Sequence, residues 1–397
     1  MLMEAKATMA KAGDIQGDRI RRSLLGRGIE VLVLDAILTG LTTVQGEFEF
    51  GVPKFQVLYL PVLGAVAAGF ALVLARVALG PWGTTKALVA FLILRVALAL
   101  LVGSALNHTV PRFPLYLGAM LAVDGVGWWL GIERRLRFAV VSGVLVGTVG
   151  LAGEALWVAA VDWVHISSSV LLKAVVMAPL AAGAAAVLAV GMGRLVSGGR
   201  RVPAVAVGDA LVMLLAALAY PLPRNVGNVE AIIRLQPVGL VNGVEQADVS
   251  VELTPPDAAE RADAFGLVSW QGGGRVLAEF DSGGPGRYVS SRPVPVDGSW
   301  KSMVGLQRGE PVVVAPIYLP ADPEIGASAV PALPERQEPF VRNTEVLLRE
   351  AHDGPTWPAM VAFSSLALVV AGWFALFALA ASRIPTRPAL PAPRPVG

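Results

Sequence analysis

Eight long apolar segments dominate the sequence and limit the folds open to it. A helix needs about 20 apolar residues to cross the hydrocarbon core of a membrane. Only 16% of residues are charged and the mean hydropathy is +0.63, whereas soluble domains carry about 25% charged residues. We therefore predict a membrane α-helical bundle of about eight transmembrane helices. The segments are residues 29–45, 56–79, 86–107, 113–131, 137–160, 170–195, 203–221 and 357–382.

Basic residues alternate between the predicted loops and indicate an orientation. Lys and Arg concentrate on the cytoplasmic side of membrane proteins, and here they follow the second, fourth, sixth and eighth segments and fill the N-terminus. We predict a plasma-membrane protein with both termini cytoplasmic. Its predicted parts are a basic tail (1–28), a seven-helix bundle (29–221), an extracytoplasmic domain (222–356), a final transmembrane helix (357–382) and a Pro-rich cytoplasmic tail (383–397).

The predicted extracytoplasmic domain has the pattern of short strands. Apolar residues alternate at period two and are separated by turn sequences such as TPPD, QGGG and VDG, which is typical of a β-sandwich or a small barrel. We predict an all-β sandwich of the immunoglobulin-like type. The chain has no cysteine, so the packing of a core must hold this domain without disulfides. Three sets of residues are each expected to share one face: Val249, Val251 and Leu253; Val276, Ala278 and Phe280; Trp300, Val304 and Leu306.

One segment of this domain, GPGRYVSSRPVPVDGSWKSMVGL, has a Gly–x–Tyr strand, a turn and a Gly–x–Trp strand at Gly286, Tyr288, Gly298 and Trp300. This arrangement resembles extracytoplasmic β-sandwich modules of the YtkA-like and FixH-like type, and the whole layout is similar to uncharacterised polytopic membrane proteins of actinobacterial type. The resemblance implies a sandwich fold, and some such modules are linked with copper handling. Copper ligands are His, Met or Cys, and residues 222–351 hold only Met303 of these, so we predict no copper site in the sandwich.

Ionisable residues inside the apolar segments are candidates for function. Arg95 lies near the middle of the third segment and Asp124 near the middle of the fourth, and antiparallel neighbours would place them at one depth as an ion pair. The pair is either a structural clamp, which we favour because breaking a buried pair is costly, or a coupling site. Asp35, Glu154 and Asp209 are further candidates for a polar path.

A second group of candidates lies at the predicted outer face. His108, Glu154, Asp162 and His165 have the side chains that bind copper or zinc or that relay protons. The spacing is not diagnostic, and the alternative is ordinary interfacial polarity beside the Trp residues of an aromatic belt. No other cofactor is indicated.

Two further observations concern helix packing and the classes of function that the sequence allows: the positions of small residues and the absence of known catalytic motifs. Gly143 and Gly147 have the GxxxG spacing that favours close helix packing, within one chain or between copies, so an oligomer is left open. Walker, GxSxG, HExxH and CxxC motifs are absent, which argues against the enzymes that use them. A net charge of +2 argues against nucleic-acid binding.

These patterns support three functional hypotheses. The first is a multi-pass membrane protein without catalytic activity, embedded in the lipid bilayer, whose sandwich binds a protein partner in the cell envelope. The second is a transporter or permease that uses Arg95, Asp124 and Glu154. The third is a metal-handling protein or metalloenzyme at the outer-face cluster.

Overall fold

The computed structural model of the chain contains a helical bundle and two β-sheets. It describes residues 28, 30–38, 40–41, 59–100, 116–161, 166–196, 204–218, 227–271, 274–323, 326–342 and 346, and six further positions between 360 and 378.

Seven α-helices have defined bounds in this part of the chain. They are α1 (Tyr59–Ala78), α2 (Gly83–Ala99), α3 (Leu117–Trp129), α4 (Arg135–Leu145), α5 (Leu151–Val161), α6 (Ser168–Val196) and α7 (Ala204–Leu218). A π-helical turn, Val146–Gly150, joins α4 to α5, so these two helices form one continuous rod. Residues 30–38, 40 and 41 are also helical.

The prediction of about eight transmembrane helices is only partly supported. The seven helices correspond to six of the predicted segments, because α4 and α5 together occupy one. Of the first segment, residues 30–38, 40 and 41 are described and helical, whereas the last segment lies largely outside the described residues. Among the described residues, three stretches are long and apolar enough to cross a membrane, namely Pro61–Ala78, Arg135–Gly153 and Ser168–Leu195, and Val205–Ala216 is a shorter apolar helix.

Small residues allow α6 to run through the middle of the bundle, in contact with α1, α4 and α7. A Cβ atom on Gly143 would overlap the backbone of Gly183, and one on Gly147 would overlap that of Pro179. The GxxxG pair therefore packs against α6 of the same chain. Of the two alternatives that the sequence left open, this is packing within one chain. Close backbone approach of this kind is how small residues stabilise helix pairs in membranes.

The two sheets are antiparallel throughout and share one apolar core, so they form a β-sandwich. The first sheet has the order β10 (Glu335–Pro339), β1 (Glu230–Val241), β2 (Val244–Thr254), β6 (Arg287–Ser290) and β5 (Phe280–Gly284), with β7 (Val294–Pro295) also on β2. The second has the order β11 (Val341–Arg342), β9 (Val312–Tyr318), β8 (Lys301–Gln307), β3 (Ala264–Gln271) and β4 (Gly274–Ala278).

The core confirms part of the predicted strand pattern. Residues 249, 251 and 253 of β2 are buried on one face, as the alternation predicted. Val276, Ala278 and Phe280 all pack on the core, as predicted, but they belong to two strands, because the chain leaves the second sheet after Ala278 and enters the first at Phe280. Trp300 lies just before β8, and Val304 and Leu306 are buried within it.

Strands β8 and β9 are buried on both faces, which the alternating pattern did not predict. Met303, Val314 and Leu319 form a second, smaller core, against which Val268 and Val330 also pack. The chain after β9 therefore covers the outer surface of the second sheet, while the outer surface of the first sheet stays open.

The ends of the sandwich are distinguished by the chain entering and leaving it. Glu230 at the start of β1 pairs with Pro339 at the end of β10, so both connections to the helical region lie at one end. Arg308, after β8, donates to the carbonyl of Ala258, which follows β2, so the β8–β9 turn lies there too. We call this the bundle end. The far end is where β1 turns into β2 at residues 242–243.

Candidate interface between the sandwich and the helices

The turn between β8 and β9, residues 308–311, contacts the bundle, and we call it the docking turn. Its Glu310 accepts a hydrogen bond and an ion pair from the Lys173 ammonium near the start of α6. The Glu310 side chain is 3% exposed and that of Lys173 is 42% exposed. A buried carboxylate is stable only when charge and hydrogen bonds compensate for its lost hydration, so this contact with the bundle stabilises Glu310 in its buried position.

Apolar and backbone contacts extend the interface around the ion pair. Val312, the first residue of β9, is buried within the same apolar cluster as the bundle core. A Cβ atom on Gly309 would lie 3.3 Å from the Ser169 hydroxyl oxygen, so the turn rests directly on the first residues of α6. Gly309 has φ of +64°, a conformation that glycine adopts without steric cost.

The sandwich holds the docking turn from its own side. The Asp263 carboxylate accepts a hydrogen bond from the Gly309 N–H, and Gln307 Nε2 donates to the Gly309 carbonyl at 3.0 Å. Arg308 Nη2 donates to the Ala258 carbonyl at 2.8 Å. Burial, and then the nearby Arg261, lower the pKa of the Arg308 guanidinium. These bonds present Glu310 to the bundle on a turn of set shape.

The open face of the first sheet carries a ladder of charges, Glu335–Arg234–Glu252–Arg287, across four strands. Arg234 contacts Glu335 at 2.6 Å and Glu252 at 3.2 Å, and Arg287 lies 3.5 Å from Glu252. The hydrogen bond from Arg234, followed by the charge of Arg287, lowers the pKa of Glu252. The hydrogen bonds that Arg234 donates to Glu335 and Glu252 raise the pKa of its guanidinium. Each of the four side chains has an oppositely charged partner within the ladder, so this part of the face stabilises the sheet.

A polar cluster lies at the opposite end of the bundle from the sandwich. The Thr85 hydroxyl donates to Asp124 at 2.6 Å, and Arg76 Nε lies 3.7 Å from the other carboxylate oxygen. The same Arg76 lies against Gly127, where a Cβ atom would be 2.7 Å from its Nε. Three helices are thereby joined, and the cluster has the contacts of a clamp.

The arginine that the structure places beside Asp124 is therefore Arg76, in place of the predicted Arg95. Arg95 is buried on α2, but it follows Thr85 by ten residues, which is about 15 Å along a helix. The two residues lie at different depths because Asp124 is close to the end of α3 that meets the start of α2.

The other predicted residues are more scattered or fall outside the description. Asp35 and Asp209 are exposed on helical residues, and Glu154 lies in α5 with its side chain outside the described part. His108, Asp162 and His165 also lie outside it, so the copper or zinc prediction stays a prediction. Among the residues that are described, no group of three or more His, Cys, Asp and Glu could hold a metal ion.

The docking turn was not found by sequence analysis. Glu310 sits in an ordinary Arg–Gly–Glu–Pro turn, 137 residues after Lys173, and no local pattern joins the two.

Comparisons with protein-family models, with curated proteins and with solved structures found no match.

Proposed function

We propose that this chain is a multi-pass membrane protein that holds a β-sandwich in a set orientation outside the membrane, so that the sandwich can bind a protein partner in the cell envelope. The Glu310–Lys173 contact carries the proposal. It joins a buried carboxylate of the sandwich to the start of α6, beside the apolar contact of Val312. A contact of this kind fixes the orientation of the sandwich relative to the helices, whereas a flexible tether would leave that orientation free.

The length of α6 supports the membrane placement. Lys173 and Arg194 are 21 residues apart in one helix, which is about 32 Å and matches the hydrocarbon thickness of about 30 Å. Lys173 meets the sandwich, and Arg194 donates to the Ile132 carbonyl in the α3–α4 turn at 3.2 Å. That opposite end also carries Arg134 and Arg137, in agreement with a cytoplasmic side.

The test compares membrane complexes of the full chain with those of a variant in which a flexible Gly/Ser linker replaces residues 227–342. Both are solubilised in mild detergent and analysed by native electrophoresis and mass spectrometry. We expect the full chain to form a larger complex that the linker variant loses. Identical complexes from both proteins would overturn the proposal.

A disulfide tests whether the docked orientation is the one that binds. The chain has no native cysteine, so Ser169→Cys with Gly309→Cys should form a single bridge at the docking turn, whereas Ser169→Cys with Ser299→Cys should not. The positive φ of Gly309 strains any side chain there, so the reduced form of the same variant is the control. We expect the bridged protein to keep the complex. Loss of the complex on bridging, with recovery on reduction, would show that binding requires an undocked sandwich.

A further inference from the structure

The far end of the sandwich carries an exposed apolar hairpin tip, residues 236–244. Val238, Leu240 and Val241 are 54%, 72% and 55% exposed, and the tip contains no charged residue. Asn242 and Gly243 both have positive φ, as a two-residue hairpin turn requires. Apolar side chains clustered at an exposed tip mark an interaction surface more often than isolated ones do.

The position of the tip favours a target other than the protein's own membrane. Glu230 lies at the bundle end, and eleven residue steps of β1 separate it from Val241, which is about 36 Å at the usual rise per residue. Because the docking turn holds the bundle end against α6, the tip lies at the opposite end of the sandwich from this contact. Its apolar side chains are therefore presented to something else in the envelope.

The tip is also unsuited to strand addition. Pro237 has no N–H to donate, and the register shifts by a bulge between Pro237 and Gly239. Proline and bulges on an edge strand block pairing with another strand. The side chains of the tip, rather than its backbone, are left to make contacts.

Charge around the tip favours a different protein over a second copy. Glu245 and Asp297 are exposed and lie side by side, since the Val296 N–H donates to the Glu245 carbonyl at 2.9 Å. Two copies meeting at their tips would bring these acidic side chains together.

We propose that the hairpin tip is the anchor by which the sandwich binds a protein partner, and that the partner offers an apolar cleft with a basic rim. Leu240 and its neighbours fill the cleft, and Glu245 and Asp297 face the rim. A few apolar residues that fill a pocket supply most of the binding energy in many interfaces, and complementary charge sets the specificity. This inference rests on the proposed function and names the surface and partner that it implies.

The test is photo-crosslinking in living cells. A photo-reactive amino acid is incorporated into the full chain, which is expressed in the cells that normally produce it. The residue replaces Leu240, and a matched control replaces Val289, which is exposed on β6 of the same sheet. We expect position 240 to give one discrete adduct of a mass other than two chains, and position 289 to give none. The combined change Glu245→Lys and Asp297→Lys should lower the yield roughly tenfold, with sandwich folding checked by resistance to protease.

Each alternative result has its own meaning. An adduct of two chains would assign the tip to a second copy and overturn the inference. An adduct from position 289 alone would leave the proposed function intact and move the binding surface elsewhere. An unchanged yield after charge reversal would exclude the basic rim. No adduct from either position, together with unchanged complexes in the linker variant, would remove both the inference and the proposed function.

Discussion

At the scale of single residues, the Lys173–Glu310 ion pair of the interface can be tested directly. Replacing Lys173 by Met removes the counter-charge of the buried Glu310. We expect local opening of the docking turn to become easier by about 1–3 kcal/mol, as for hydrogen bonds to charged groups. Hydrogen exchange of the Gly309 and Val312 amides measures this, since it reports local opening. Lys173→Arg is the matched control and should keep protection near the wild-type level; equal protection in all three would contradict the docked turn.

The partner of Asp124 is tested by comparing two arginines. Asp124→Ala removes the counter-charge of Arg76 and should destabilise the bundle by about 3 kcal/mol, as breaking a buried pair does. In double-mutant cycles by thermal unfolding in detergent, Asp124 should couple to Arg76 and not to Arg95, because distant sites add within about 0.5 kcal/mol. Coupling to Arg95 instead would restore the pair that the sequence predicted.

The charge ladder makes the sandwich sensitive to acid. The pKa of Glu252 is lowered in the folded state by Arg234 and Arg287, so its contribution is present above the ordinary glutamate pKa and is lost as pH falls through the folded value. We expect Glu252→Gln to reduce protection of the β1 and β2 amides at pH 7. The difference from wild type should shrink as pH falls below the ordinary glutamate pKa of about 4.3 and vanish below the lowered folded value. Exposed Glu279→Gln is the control; a difference that persists in acid would mean that the ladder is not electrostatic.

At the scale of elements, two glycines of one helical rod should respond oppositely to the same change. A methyl group on Gly147 would overlap the backbone of Pro179 in α6, whereas one on Gly153 meets nothing within 4 Å. We expect Gly147→Ala to destabilise the bundle by about 1–3 kcal/mol through overpacking, and Gly153→Ala to be neutral or stabilising by up to about 1 kcal/mol. Thermal unfolding of both variants in one detergent decides it, and equal effects would place the α4–α6 contact elsewhere.

The helices and strands also show which sequence signals were sufficient to predict secondary structure. Apolar length located the helices within a few residues, because a helix in lipid satisfies all its backbone hydrogen bonds internally and needs no distant partner. Alternation located β2, whose one face is open. It failed at β8, where Met303 and Val304 are both buried, because a later part of the chain covers the second face.

The polar cluster shows why depth is harder to predict than helix position. Arg76, Thr85 and Asp124 all lie within about one and a half turns of helix ends that meet at one end of the bundle. Counting residues from these shared ends, rather than from the middle of each segment, would have brought the three together. Arg95 is far from that end and therefore lies at a different depth in the bundle from Asp124.

At the scale of the whole molecule, the proposed topology predicts which cysteines are accessible. The chain has no cysteine of its own, so Ser299→Cys at the far end and Arg137→Cys at the other end of the bundle each add one exposed thiol. In intact cells, an impermeant maleimide should label position 299, and position 137 only after lysis. The reverse labelling would invert the orientation inferred from the basic loops.

The sequence by itself determined the division of this chain into apolar helices and a β-rich domain, and most of the face that β2 buries. These depend on local composition and period, which need no knowledge of distant residues. The tertiary structure alone decided that Arg76 meets Asp124, that Gly147 packs on Pro179, and that Glu310 docks on Lys173. Each of these contacts joins residues far apart in the chain, and its energy depends on burial that exists only once the helices and sheets have packed together.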